Sequence, residues 1–188
     1  IPINYTLYVK ENPSNITRDW REISQYEELL DIPNVRILHP EFSNSELLKN
    51  CDLVISIAGS SSFEAAFYEK PSIVFGDVLY SGLPSVTKVK NIEDLSKNIR
   101  DGLKEKVNSD DLSRYLELLK ENTFEFDMVK FSGLIAKIFY KDETTVDVEI
   151  DETQIDKFIE DNTNLIDILV VEHVKKIKQH DRFKNNSS

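Results

Sequence analysis

A chain of 188 residues with 40% hydrophobic and 10% aromatic side chains carries enough apolar material for one sizeable core, or for one domain with an appendage. Its formal net charge of −11 works against nucleic acid as the main partner, because a phosphate backbone demands a basic surface, yet it leaves room for a single nucleotide held locally. One cysteine, Cys51, excludes an intrachain disulfide framework and fits a reducing compartment, and no apolar run approaches the length of a membrane span.

Tyr5 to Lys10 alternates and is rich in β-formers, so it predicts a first strand. Glu11 to Asn15 reads as a turn, with Ser14 or Thr17 available to cap the next helix. The spacing of Trp20, Ile23, Tyr26, Leu29 and Leu30 predicts that helix from Asp19 to Leu30, amphipathic and with one core face. Asp31 to Asn34 breaks it, Val35 to Leu38 is a second strand, and Ser45 to Asn50 is a short helix capped from Ser43 or Asn44.

The centre of the chain is Asp52 to Gly76. Leu53 to Ala58 is a β-branched apolar run that predicts a strand buried on both faces. Gly59 permits a turn, Ser60, Ser61 and Ser62 follow, and Phe63 to Glu69 is helix-like until Pro71 stops it. Ser72 to Phe75 is a second buried strand, completing a βαβ unit. A loop through Tyr80 and Gly82 leads to a strand over Val86 to Val89. A helix comes next over Ile92 to Lys106, with Ile92, Leu95, Ile99 and Leu103 facing inward. Strand and helix alternating at short intervals predict a Rossmann-like, doubly wound α/β sheet with parallel strands.

Beyond it, Asp110 to Asn122 and Met128 to Tyr140 read as helices. Asp142 to Asp161, with nine acidic residues and one lysine, reads as a solvated connector. Ile155 to Ile177 resumes helical character with an apolar face suited to packing on protein, and Arg182 to Ser188 reads as a disordered end. The expected domains are 1–108, a nucleotide-binding α/β domain; 109–141, helices packing on it; and 142–188, an acidic connector and helical tail. The abrupt start at Ile1, without methionine, leads us to expect a piece of a longer protein. Asn4, Asn15 and Asn186 begin glycosylation sequons, a weak signal without a secretion signal.

In a doubly wound sheet ligands bind beyond the carboxyl ends of the strands, here Lys10 to Pro13, His39 and Pro40, Gly59 to Ser62, and Gly76 to Tyr80. The three serines sit where a helix leaves its first N–H groups unpaired, and hydroxyls beside free amides make a seat for phosphate. The competing reading is a capping box between Ser61 and Glu64, and both roles can coexist. Glu64 can accept hydrogen bonds from a ribose diol, Lys10 and Asn12 can meet an anion, and Tyr80 and Gly82 can cover such a ligand. For Lys10 and Asn12 the alternative is an ordinary turn with a solvated lysine, and for Tyr80 and Gly82 an ordinary surface loop. His173 and His180 lie on a charged helix without metal-ligand spacing, His39 reads as structural, and Cys51 as an inert core thiol. No metal site, glycine-rich nucleotide fingerprint or catalytic triad stands out.

The order of these pieces carries a resemblance. Tyr8 to Pro13, Asn34 to Leu38, Asp52 to Ala66, Glu69 to Pro71 and Ile73 to Gly76 resemble the carboxy-terminal half of the capsular polysaccharide synthesis glycosyltransferases. That GT-B group includes the bacterial Kdo and polysialic acid transferases. The resemblance covers residues 5 to about 105. It implies a domain that binds an activated sugar nucleotide, often CMP-linked, as substrate, with no further cofactor. The family's His-Pro motif falls on Asn12 and Pro13, its serine pair on Ser60 and Ser61, and its ribose glutamate on Glu64. The implied donor set is Lys10, Asn12, Pro13, Gly59, Ser60, Ser61, Ser62, Glu64 and Tyr80. Asparagine at position 12 donates a hydrogen bond but carries no proton, so the family's leaving-group protonation is in question. The resemblance further implies an amino-terminal acceptor domain without which this half is inactive, a polysaccharide or glycolipid acceptor, and a cytoplasmic location or one at the inner face of the membrane. Two alternatives stay open: a GT-B polyol-phosphate transferase or UDP-sugar epimerase, and a module that kept the fold, lost the chemistry and binds a partner.

Overall fold

Among the described residues, five short strands, all paired in parallel, set the frame of the first part of the chain. β1 (Leu7–Lys10) pairs with β2 (Val35–Leu38), Leu7 opposite Val35. β3 (Val54–Ser56), β4 (Ser72–Val74) and β5 (Val86–Lys88) form a second sheet in the order β3-β4-β5. Val54 lies opposite Ser72, and Ser72 opposite Val86. The computed structural model describes residues 2–13, 21–140 and 148–186. The architecture is the expected one, mixed α/β with parallel strands followed by helices.

The core is built around β4. Ile73 and Val74 are wholly inaccessible, and as neighbours on a strand they face opposite sides of the sheet. On one side Val74 joins Ala66, Leu83, Val86 and Leu112, with Phe63, Tyr80 and Tyr115 against them. On the other Ile73 joins Val89 and Ile99, with Leu53, Ile55, Leu95 and Leu103. α3 (Ser61–Glu64) and the 3₁₀ turn Ala65–Tyr68 belong to the first side, and α4 (Leu95–Gly102) to the second. Helical layers on both faces are what a hydrophobic parallel strand requires.

Several elements differ from the sequence reading. β3 was expected to be buried on both faces, but it is half-buried, and Ile57 beyond it is 76% exposed. Among the described residues it pairs only with β4, so it is an edge, and the central strand takes the full burial. The helix after the serines is one α turn followed by a 3₁₀ turn. It ends at Glu69 in the left-handed region (φ 55°), which redirects the chain into Lys70 and Pro71. α1 spans Ile23–Leu30 and buries no residue; Ile23 is 74% exposed, and only Tyr26 and Leu29 are half-covered. The expected caps Ser14 and Thr17, and Trp20, lie outside the described residues. α2 (Asn44–Asn50) takes Ser43 as its cap, the Oγ accepting from the Glu46 amide. Ile92, expected on an inner face, sits in a 3₁₀ turn before α4 and is exposed.

The chain divides into two compact units, Ile1–Leu119 and Lys120–Ser188. α5 (Ser109–Asn122) contributes Leu112 and Tyr115 to the first. In the second, α6 (Met128–Phe139), α7 (Glu152–Asp161) and α8 (Thr163–Asn186) accompany an aromatic cluster. Phe158 is buried there, its ring 5.1 Å from Phe139 and 6.0 Å from Phe131. The stretch read as an acidic connector up to Asp161 is helical from Glu152. The Asp151 carboxylate accepts from the Gln154 amide and the Gln154 side chain accepts from the Asp151 amide, a capping box that satisfies two amides at the start of the helix. The tail read as disordered from Arg182 continues α8 through Asn186.

The two flanks of the serine turn differ sharply in burial, and stability should follow. Ile73→Ala, at a site with no solvent access, should cost about 2–5 kcal/mol in urea unfolding, while Ile57→Ala should cost less than about 0.5 kcal/mol. Equal losses would contradict the placement of β4 at the centre of the core.

Candidate functional site

The turn between β3 and α3 is shaped by a polar group inside the core. Ser62 is completely buried, and its hydroxyl lies 2.7 Å from that of Ser56, the last residue of β3. Its carbonyl accepts from the Ser72 hydroxyl at 2.9 Å, so strand, turn and β4 are joined through two hydroxyl contacts. Every buried side-chain polar atom among the described residues has a partner, as the cost of desolvation demands. Ser62 therefore holds the turn in place, and its hydroxyl is turned to the protein.

The rest of the turn faces outward. The Gly59 amide donates to Ser56 Oγ at 3.2 Å, and the Ser62 amide to the Gly59 carbonyl at 3.2 Å. Between them, the amides of Ser60 and Ser61 donate to no carbonyl among the described residues. Ser60 is exposed and Ser61 half-exposed, and the Ser61 hydroxyl makes no hydrogen bond among the described residues. Among the described residues, two N–H groups and one O–H are thus free to donate at the carboxyl end of β3.

The expected Ser61–Glu64 capping box is absent. The cap is Ser60, itself in helical conformation and with no side-chain hydrogen bond to the helix amides. Ser61 is already the first helical residue, one position too late to cap. The Ser60 hydroxyl instead donates to Glu64 Oε1 at 2.9 Å, and Asn44 Nδ2 donates to Glu64 Oε2 at 2.8 Å. A carboxylate offers about four lone-pair sites, so each oxygen keeps one for a ligand.

A second loop closes over the first. The amides of Phe75 and Gly76 both donate to the Ile57 carbonyl, at 3.0 and 2.8 Å. The approach is close enough that a Cβ on Gly76 would stand 3.3 Å from Ile57 O and from Ala58 Cβ, a tight contact that glycine avoids. The Tyr80 hydroxyl donates to the Gly59 carbonyl at 2.6 Å, and its ring stacks on Phe63 with centroids 5.5 Å apart. Burial pushes the Tyr80 phenol up, partly offset by a hydrogen bond with Ser56, so at neutral pH it serves as a neutral donor.

Gly59, Ser60, Ser61, Ser62, Glu64 and Tyr80 are therefore brought together. Lys10, Asn12 and Pro13 lie at and beyond the end of β1, in the other sheet. Lys10 lines an open groove of about 430 Å³ with Arg21, Gln25 and Leu29, where Arg21 is paired with Glu11 at 2.5 Å. Lys10 is not part of the hydrogen-bond network around Glu64. His39 is exposed, its Nδ1 accepting from the Glu41 amide at 3.3 Å. Cys51 is half-buried and burial raises its thiol, which keeps it protonated and unreactive at neutral pH. Asn44, Ser56 and Ser72 are the participants the sequence reading missed. Ser56 carried a signal: a lone hydroxyl inside an apolar strand needs a partner. Among the described residues no group of three or more His, Cys, Asp or Glu could hold a metal ion, and no helix is long and apolar enough to cross a membrane.

Residues 2–119 match the family model of the capsule polysaccharide biosynthesis proteins, well over half of the chain and almost the whole of the first compact unit. The chain belongs to the capsule polysaccharide biosynthesis family. Neither the curated proteins nor the solved structures include one that matches it. Membership carries a role in making capsular polysaccharide, and the serine turn lies within the matched residues.

The division of labour among the serines has a direct consequence for stability. Ser62→Ala should destabilise the protein by about 1 kcal/mol in thermal or urea unfolding, because the bond between the buried Ser62 hydroxyl and the half-buried Ser56 hydroxyl is lost, whereas Ser61→Ala should change stability by less than about 0.5 kcal/mol. The reverse order would mean that Ser61 and not Ser62 holds the turn.

Proposed function

We propose that the first unit is the donor-nucleotide-binding half of a GT-B glycosyltransferase that builds capsular or surface polysaccharide. The support is the set of unclaimed donors on Ser60 and Ser61, at the carboxyl end of a parallel strand and one turn from a carboxylate held by two hydrogen bonds. Phosphate and ribose of a nucleotide require those two chemistries side by side: N–H and O–H donors for the anion, a charged acceptor for the diol.

In this reading the amides of Ser60 and Ser61 and the Ser61 hydroxyl bind the phosphate of the sugar nucleotide, and Glu64 binds the ribose. Ser60 contributes its amide to the phosphate and its hydroxyl to Glu64. Tyr80 latches the second loop onto Gly59, and Ser62 acts from beneath. Asn12 adds an amide from the end of β1, whereas Lys10 lines a separate groove with Arg21 and Leu29 and does not join this set. As the glycosidic bond to the donor breaks, charge grows on the leaving phosphate and the fixed donors stabilise it, an oxyanion-type effect. Asn12 supplies a hydrogen bond there and no proton. The acceptor and the catalytic base belong to a partner domain, with the chemistry on the cytoplasmic side.

The test is calorimetric titration of the protein with CMP, CDP, UDP and GDP, alongside thermal unfolding. At least one nucleotide should bind and raise the melting temperature; Ser61→Ala should weaken that binding about tenfold with the unliganded melting temperature unchanged. A preference for CDP or UDP over CMP would redirect the assignment to a polyol-phosphate transferase or a UDP-sugar enzyme of the same fold. No stabilisation by any of the four at millimolar concentration would contradict a nucleotide site and favour a module that has kept the fold without the chemistry.

A further inference from the structure

We infer that Asn44 is a positioning residue, which fixes the Glu64 carboxylate to accept a vicinal diol; the inference rests on the reading of the serine turn as a nucleotide site. Glu64 receives one donor on each oxygen, from two different elements: Ser60 Oγ on Oε1 at 2.9 Å and Asn44 Nδ2 on Oε2 at 2.8 Å. Two donors on separate oxygens fix both the position and the plane of the carboxylate. Glutamate is among the side chains with most rotamer freedom to lose. Held in place beforehand, it spends none of that freedom when ligand arrives.

Asn44 has no competing duty at its own helix. It opens α2, but the cap is Ser43, whose Oγ accepts from the Glu46 amide at 3.4 Å. An amide in this position also has a chemical advantage over a cation. Lysine or arginine would pair with the carboxylate and weaken it as an acceptor, whereas the neutral Asn44 amide orients Glu64 and leaves its charge for the ligand. One lone pair remains on each oxygen, the number a pair of adjacent hydroxyls uses.

The experiment compares binding of CMP and UDP with that of their 2′,3′-dideoxy counterparts, in wild type, Asn44→Ala, Asn44→Asp and Glu64→Gln. Asn44→Asp keeps the shape but cannot donate when ionised, so it guards against a packing effect of the alanine. Wild type should prefer the ribonucleotide about tenfold or more, because a site built to bond hydroxyls rejects a ligand lacking them. Both Asn44 variants should reduce that preference to within about threefold of parity, and unliganded melting temperatures should stay within about 2 °C of wild type. Combining Asn44→Ala with Glu64→Gln should lose no more than Glu64→Gln alone, as expected for two residues acting through one contact. If Glu64→Gln abolishes the preference and the Asn44 variants keep it, the positioning role is overturned and the nucleotide site stands. If wild type shows no preference, the diol role of Glu64 fails and the positioning role fails with it.

Discussion

A hydroxyl buried without solvent has to find a partner, and in this chain that requirement fixes the turn that carries the proposed function. Ser62 has no accessible surface and meets Ser56 at 2.7 Å, while its carbonyl takes the Ser72 hydroxyl. Those bonds join β3, the start of α3 and β4, and they hold the two residues before Ser62 at the surface. An alanine in its place would keep the carbonyl bond to Ser72 but lose the hydroxyl bond to Ser56, and with it the direct link to β3. The serine run thus divides its labour: the third faces the core, the second faces outward with amide and hydroxyl unclaimed, and the first turns its hydroxyl to Glu64.

The arrangement gives a mixed site with little rearrangement needed. In the proposed reading, donors for an anion and an acceptor for a diol lie within one helical turn of each other, at the carboxyl end of a parallel sheet. The second loop is tied down through Ile57, Gly76 and Tyr80, so the surroundings are as fixed as the site itself. Membership of the capsule polysaccharide biosynthesis family spans residues 2–119, and the first compact unit ends at Leu119. The helical second unit, with its own aromatic core around Phe158, lies outside that match.

Much of this was legible from local pattern. Alternation and β-branching placed all five strands, and the serine run with Glu64 marked the turn. The features that escaped depended on non-local geometry. Whether Leu53 to Ala58 would be central or an edge depends on which strands hydrogen-bond to it, and periodicity carries no such information. The Ser61–Glu64 spacing fits a capping box, but the helix begins one residue earlier than that box requires, so the hydroxyl of Ser60 reaches the carboxylate instead. Asn44 is twenty residues from Glu64 and only the packing of α2 beside α3 brings them together. Helical character was expected from Ile155, and only the start of that helix at Glu152 was hidden by composition: nine acidic residues read as solvated chain, although Asp151 and Gln154 stand at the capping spacing.

The central claim is that the Ser60 and Ser61 amides are there to receive a nucleotide's phosphate, and backbone amide resonances followed by two-dimensional ¹H–¹⁵N NMR during titration with CMP or UDP test it most directly. The account predicts that these two resonances move furthest, and downfield, as an N–H does on donating to an anion. If both stay in place while the nucleotide saturates, or if the shifts cluster in another part of the chain, the serine turn is not where the nucleotide binds.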